Sequence, residues 1–96
     1  MATFISKIQL TDQGMKHIKD TCKRAEDFRS AAAGMGAEVK NVYWTMGSFD
    51  GLVILEAPDA ETATAVMLHL GSAGNAHTET LRAYEASEMA EVLAKL

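Results

Sequence analysis

The chain has 96 residues, 48% of them hydrophobic and 23% charged, a composition typical of one soluble globular domain covering residues 1–96. Its net charge of −4 favours no nucleic-acid partner, and no apolar run approaches the ~20 residues that span a bilayer, so we expect neither nucleic acid nor membrane. A lone cysteine, Cys22, and an N-terminus without a signal-peptide pattern predict a cytoplasmic location.

The first strand is predicted at residues 3–10, where apolar side chains share one parity and Ser6 is the exception. Thr11 or Asp12 can cap the helix that follows. Gly34 to Gly36 end this helix of roughly 20 residues, because glycine adopts the left-handed conformation that closes helices. Its apolar stripe recurs at three- and four-residue steps and includes Cys22 as a buried, inert thiol: Met15, Ile18, Cys22, Ala25, Phe28, Ala32 and Met35.

A second strand is predicted at residues 38–46, with Trp44 on its apolar side as a core residue and Tyr43 on the other side. GSFDG, residues 47–51, supplies the turn of a hairpin, because its two glycines tolerate positive φ. The third strand, GLVILEA at 51–57, is a continuous apolar run, which predicts burial on both faces.

Pro58 and Asp59 mark the start of a second amphipathic helix, which the GSAGN segment at 71–75 ends. Its apolar stripe comprises Ala60, Ala63, Met67 and Leu70. TETLRAY, residues 78–84, is predicted as the fourth strand, and Ser87 as the cap of a short last helix. The order β-α-β-β-α-β predicts an α+β, ferredoxin-like fold: a four-stranded antiparallel sheet with two helices on one face and an extra C-terminal helix.

One parity of each strand must face the helices, and the most apolar choice is Phe4/Ile8/Leu10, Val42/Trp44/Met46 and Leu81/Ala83. The opposite face then carries Ile5, Lys7, Gln9, Tyr43, Thr45, Thr80, Arg82 and Tyr84. For the third strand the register is open: either Val53 and Leu55, or Leu52, Ile54 and Glu56, lie on this second face. Because exposed apolar patches mark interaction sites, we predict a homodimer, or a higher homo-oligomer, that packs two sheets face to face. Two places for a small ligand stay open: a cleft between the sheet and the helices, or a cleft within the dimer.

Several motifs taken together resemble the GYD domain family, small bacterial proteins of the dimeric α/β-barrel superfamily. They are TDQG at 11–14, YWT at 43–45, GSFD at 47–50, EAPD at 56–59, GN at 74–75 and TETLRAY at 78–84. The Gly-x-Tyr-Asp pattern of the family stands here as Gly47-Ser48-Phe49-Asp50, without the tyrosine hydroxyl. The resemblance implies the ferredoxin-like fold and a dimer, and it implies no established reaction.

The candidate ligand-binding residues are Tyr43, Asp50, His77, Arg82 and Tyr84. Asp50 can anchor a ligand at a pocket mouth, or it can cap the backbone of its own turn. Arginine can clamp a carboxylate and tyrosine can donate to a carbonyl, but Arg82 can equally pair with Glu56 or Glu79.

No metal, cofactor or nucleophile site is predicted. His69 and His77 flank GSAGN, but two histidines without a close third ligand indicate a metal only weakly. The GSAGN glycines lack the Lys-Ser/Thr that follows a phosphate-binding loop.

Three functions stay open. The one we favour is a homodimeric domain that binds a small polar or aromatic ligand between the sheet and its partner. A cofactor-independent oxygenase or isomerase that acts on a small carbonyl or aromatic compound would use Tyr43, Asp50, His77 and Arg82. A subunit with a purely structural role needs no ligand at all, and the sequence leaves open whether any reaction is catalysed.

Overall fold

The computed structural model describes residues 1–96 and has the predicted ferredoxin-like topology. All three strand pairs are antiparallel, and the sheet order is β2-β3-β1-β4. The elements are β1 (Ala2–Leu10), α1 (Asp12–Lys16), a 3₁₀ turn (Ile18–Asp20), α2 (Thr21–Gly34), β2 (Glu38–Trp44), β3 (Gly51–Ala57), α3 (Ala60–Ser72), β4 (Ala76–Ala83) and α4 (Ala86–Leu93). No helix is long and apolar enough to span a membrane.

The core lies between one face of the sheet and the helices α2 and α3. Its buried apolar residues are Phe4, Phe28, Ala32, Ala37, Val39, Val53, Leu55, Ala57, Ala63, Val66 and Met67. Phe4 pairs with Leu55 across β1 and β3, which settles the register that the sequence left open: Val53 and Leu55 face the helices. Leu52, Ile54 and Glu56 therefore lie on the opposite face, because successive strand residues alternate sides.

The prediction of which β4 side chains face the helices was wrong, because the two faces of the strand are exchanged. Arg82 is paired with Phe4 and Thr80 with Ser6, so Arg82 and Thr80 lie on the helix side and Leu81 lies on the other face. The Ser6 hydroxyl, which is fully buried, hydrogen-bonds to the Thr80 hydroxyl at 2.9 Å. β4 is an edge strand whose helix side is only partly covered, so polar residues are tolerated there.

The predicted first helix is interrupted, because α1 ends at Lys16 and the chain passes through a 3₁₀ turn before α2. The His17 carbonyl accepts the Asp20 backbone N–H at 3.1 Å within this turn, and the Arg24 guanidinium donates to the same carbonyl at 2.7 Å. The apolar stripe is consequently buried only at its α2 end, at Phe28 and Ala32. Cys22 is exposed, contrary to the prediction that it is a core thiol.

Three further predictions about side chains were wrong. Trp44 is 49% exposed, and its indole N–H donates to the Thr21 hydroxyl at 3.0 Å. Met46 lies beyond the end of β2 and is fully exposed. The N-cap of α4 is Glu85 and not Ser87, and the backbone N–H of Glu85 donates to the Glu88 carboxylate at 3.1 Å.

Two of the family-like motifs, TDQG and GN, contact each other. The Thr11 hydroxyl donates to the Gly74 carbonyl at 2.6 Å, and the Thr11 backbone N–H donates to the Asn75 carbonyl at 3.1 Å. The Gln13 amide reaches the Asn75 side chain at 3.0 Å. These bonds fasten α1 to the loop between α3 and β4, 60 residues away in sequence.

Candidate functional site

The face of the sheet that the helices do not cover is called the open face here. By strand register it carries Thr3, Ile5, Lys7, Gln9, Asn41, Tyr43, Leu52, Ile54, Glu56, His77, Glu79, Leu81 and Ala83. Ile54, Ile5 and Leu81 are paired in one row across three strands. The next row runs from Tyr43 and Leu52 to Lys7 and Glu79, so an apolar centre is flanked by charges of both signs.

The GSFDG segment forms the predicted hairpin between β2 and β3, and Asp50 fastens it to β1. The Asp50 carboxylate accepts the Leu10 backbone N–H at 2.8 Å, and the Asp50 N–H donates to the Ile8 carbonyl at 2.8 Å. The Thr45 hydroxyl donates to the Phe49 carbonyl at 2.7 Å inside the loop. Asp50 therefore has a backbone partner on a neighbouring strand, and one carboxylate oxygen is already engaged.

His77 lies beside a small polar cleft at the hairpin end of the open face. The cleft has a volume of about 340 Å³ and is lined by Lys7, Ile8, Gln9, Ser48, Phe49, His77, Thr78 and Glu79. The Lys7 ammonium lies 5.1 Å from the centre of the Phe49 ring, a cation–π contact that places the hairpin loop against β1.

Arg82 and Tyr84 lie at the opposite end of the sheet, where Arg82 binds neither Glu56 nor Glu79. Its guanidinium donates to the Glu88 carboxylate at 2.8 Å and to the Thr3 carbonyl at 3.2 Å. It also stacks on the Tyr84 ring at 4.5 Å. The hydrogen bond from Arg82 holds the pKa of the Glu88 carboxyl below its ordinary value. Arg82 thus ties the first turn of α4 to the ends of β1 and β4.

The five candidate residues do not converge on one site. Tyr43 and His77 lie on opposite edge strands, three inter-strand spacings or ~14 Å apart. Arg82 pairs with Phe4, whereas Asp50 binds Leu10, and the six residue steps from Phe4 to Leu10 along β1 span ~20 Å. The set proposed for an oxygenase or isomerase is therefore distributed over three places on the molecule.

A second cleft lies on the helix side of the sheet, between α2 and α3, where the sequence allowed a ligand cleft but did not predict which residues line it. Its volume is about 340 Å³. Apolar residues form most of its lining, including Ile8, Leu10, Phe28, Val42 and Leu70, and the exposed Trp44 lies at its edge. Ala25 lines it from α2, and Ala73 lines it from the C-cap of α3. Small residues at these positions were the available sequence signal, because small side chains leave space that larger ones would fill.

Four antiparallel strands, with α2 and α3 on one face and nothing over the other, define an α+β ferredoxin-like domain. The GYD domain family model matches residues 4–93, and the chain belongs to this family. The family predicted from the sequence motifs is thereby confirmed.

Two similar proteins come from Thermus thermophilus. One relative, the "Glutamine synthetase and cystathionine beta-lyase binding protein", is 34% identical over 97 residues, which cover 100% of this chain and 99% of the relative. The crystal structure of TTHA0845 from the same species matches with a TM-score of 0.58 and 24% identity, over 90% of this chain and 96% of that one. This structural likeness supports the ferredoxin-like fold.

Proposed function

We propose that residues 1–96 fold as one domain and that two copies pair through their open faces to form a homodimeric binding domain. The observation that carries this proposal is the apolar centre of the open face, with Leu81 45% exposed beside Ile5 and Ile54. Contiguous apolar surface of this kind is buried in stable proteins, because contact with water is costly.

The charges around the apolar centre favour a second copy as the occupant. Lys7 and Glu79 are paired in the row next to the apolar row, and Glu56 lies at the far end of β3. A surface that carries both signs can pair with itself across a twofold axis, because each lysine can meet a carboxylate of the partner.

The decisive experiment compares two leucine variants by sedimentation velocity. Leu81→Asp places a carboxylate at the proposed interface, and we expect it to sediment as a monomer while the unmodified chain sediments as a dimer. Leu68→Asp is the matched control, because Leu68 is 68% exposed on α3, on the helix side, and this variant should stay dimeric. A monomeric unmodified chain, or equal loss of dimer in both variants, would contradict the proposal.

We propose further that the dimer binds metabolic enzymes. The support is the printed name of the 34% identical Thermus thermophilus relative, which describes it as binding glutamine synthetase and cystathionine beta-lyase. The test is a sedimentation experiment. The chain is mixed with purified glutamine synthetase or with purified cystathionine beta-lyase, each taken from the organism that supplies the chain. Co-sedimentation with either enzyme, but not with an unrelated oligomer of similar size, is the expected result, and free sedimentation of all components would contradict it.

The polar cleft beside His77 favours a second candidate function, binding of a small polar ligand between the sheet and its partner. The cleft opens on the open face, so a paired copy would cover it. Lys7 and His77 offer donors to such a ligand, and Glu79 offers an acceptor. Native mass spectrometry of freshly purified dimer tests this function. We expect a retained small molecule that the His77→Ala variant lacks, and a dimer mass equal to twice the chain mass would contradict it.

A further inference from the structure

The cleft between α2 and α3 has the size and lining of a small-molecule site, and it lies on the side of the sheet away from the open face. Its volume of about 340 Å³ falls within the ~300–1,000 Å³ that such sites usually occupy. Ile8, Phe28, Val42 and Leu70 form an apolar interior that suits a flat ring or a short hydrocarbon chain.

The carboxylates at the rim of this cleft are already engaged within the chain. Asp27 accepts the Lys23 ammonium at 2.7 Å, and this contact raises the pKa of the lysine above its ordinary value. Asp50 accepts the Leu10 backbone N–H at 2.8 Å. The negative groups of the rim are therefore partly neutralised or bonded before any ligand arrives.

The hydrogen-bond donors at the rim, by contrast, are only partly occupied by bonds within the chain. Arg24 has five guanidinium N–H groups and gives two of them to carbonyls, at 2.7 Å to His17 and at 3.5 Å to Gly14. His69 lines the same cleft from the last turn of α3. The surplus of donors over free acceptors favours a ligand that carries a negative group.

We infer that the cleft binds a small aromatic carboxylate. The ring occupies the apolar interior between α2 and α3, and the carboxylate accepts hydrogen bonds from Arg24 at the rim. This inference does not depend on the proposed dimer, because the residues that it assigns to the ring and to the carboxylate lie on the helix side of the sheet, although Tyr43 and Leu52 of the open face also line the cleft.

Trp44 provides the readout, because it is the only tryptophan of the chain and lies at the edge of the cleft. The probe is 3-phenylpropionate, titrated into ¹⁵N-labelled protein while the Trp44 indole N–H resonance is followed by NMR. We expect a saturable shift of this resonance. The neutral analogue 3-phenylpropan-1-ol should bind about tenfold more weakly, the loss expected when one charge-assisted contact worth ~1.4 kcal/mol is removed.

Two variants, each with phenylalanine in place of an alanine of α2, test where the probe binds. Ala25→Phe fills the cleft from α2 and should abolish the shift, whereas Ala33→Phe, at an exposed position of α2, should bind the probe normally. If Ala25→Phe does not fold, Ala73→Phe fills the cleft from the other wall and carries the same expectation.

A third variant tests the recognition of the charge. Arg24→Gln should remove the preference for the acid over the alcohol and leave alcohol binding intact, which also checks that the cleft is still formed. The Leu81→Asp variant should bind the probe like the unmodified chain, which separates this site from the proposed dimer. The inference is overturned if the probe leaves the Trp44 resonance unchanged, if filled-cleft variants bind equally well, or if the acid has no advantage over the alcohol.

Discussion

Gly14 lies against the backbone of Asn75, a residue that is distant in the sequence. A Cβ atom at this position would overlap with the carbonyl oxygen of Asn75, and Gly14 is buried. The surrounding bonds from Thr11 and Gln13 to residues 73–75 leave the backbone little freedom to retreat. The need for glycine here is therefore a matter of close approach between two backbone segments.

We expect Gly14→Ala to destabilise the protein by about 3 kcal/mol, because the overlap is with backbone rather than with a flexible side chain. Gly34→Ala is the control, since a Cβ at the end of α2 meets nothing within 4 Å. That variant should be neutral or up to ~1 kcal/mol more stable, because alanine favours helix. Urea unfolding monitored by circular dichroism measures both changes, and equal stabilities would show that the close approach is unimportant.

Asp59 stabilises the start of α3, and its effect should depend on pH. Its carboxylate accepts the Thr62 backbone N–H at 2.7 Å. Hydrogen bonding by the Thr62 side chain, and then by this backbone N–H, lowers the pKa of Asp59 below its ordinary value. A depressed pKa in the folded state means that the stabilisation is present at neutral pH and is lost as the pH falls through the folded pKa.

The unmodified protein should therefore exceed Asp59→Ala in stability at pH 7, with a difference that shrinks in acid. Asp59→Asn keeps a capping oxygen, so most of the stability at pH 7 should survive in this variant, without the same dependence on pH. Urea unfolding midpoints between pH 7 and pH 3 provide the comparison. A difference between the unmodified protein and Asp59→Ala that is independent of pH would contradict this role.

At the scale of elements, α4 differs from the other helices because none of its residues is buried. Met89, Val92 and Leu93 are all exposed, so the helix does not pack an apolar face on its own chain. Glu88 links α4 to β4 through Arg82, whereas its bond with the Glu85 N–H is part of the helix's own N-terminal cap. The attachment of α4 is thus polar and located in its first turn.

We expect Glu88→Gln to increase amide hydrogen exchange along α4, because the charged partner of Arg82 is lost. Glu91→Gln, an exposed position on the same helix, should leave exchange unchanged. Since the folded pKa of Glu88 is lowered, acid should loosen α4 in the unmodified protein only as the pH falls through that depressed value. Exchange that is equal in both variants would exclude the Arg82–Glu88 pair as the tether.

The elements also differ in how well the sequence predicts them. β1, β3 and α3 were predicted closely, because β1 and α3 have a regular apolar period, β3 is a continuous apolar run, and all three are packed into the core. The candidate site was predicted less well. Asp50 and the GSFDG hairpin follow from local turn chemistry, but the pairing of Arg82 with Glu88 depends on where α4 lies. The cleft between α2 and α3 depends on the distance between two helices, which local periodicity does not encode.

At the scale of the whole molecule, the chain is thin, and no helix covers the open face of its sheet. Its extents are 48 × 31 × 17 Å, and the smallest of them corresponds to one sheet with one layer of helices. Two layers bury only one face of the sheet, so the apolar row of the open face remains exposed in a single copy.

If two copies cover this row in solution, thermal stability must depend on concentration. The midpoint temperature of the unmodified chain should rise as protein concentration increases, because dimerisation stabilises the folded state by mass action. The Leu81→Asp variant should melt at a lower temperature that does not change with concentration. Differential scanning calorimetry over a wide concentration range measures both, and a concentration-independent midpoint for the unmodified chain would argue against pairing.

The sequence by itself determined the order of the elements, the ferredoxin-like topology and the GYD family, because periodicity, turn residues and motifs are local properties. Only the tertiary structure decided the register of β3, the side on which Arg82 lies, the interruption between α1 and α2 and the residues that line the helix-side cleft. Each of these depends on which distant backbone or side chain supplies a hydrogen-bond partner or fills a space. Ser6 is an example. The sequence shows a polar residue among the apolar residues that alternate along β1, but its hydrogen-bond partner, Thr80, is identified only when β1 and β4 lie side by side.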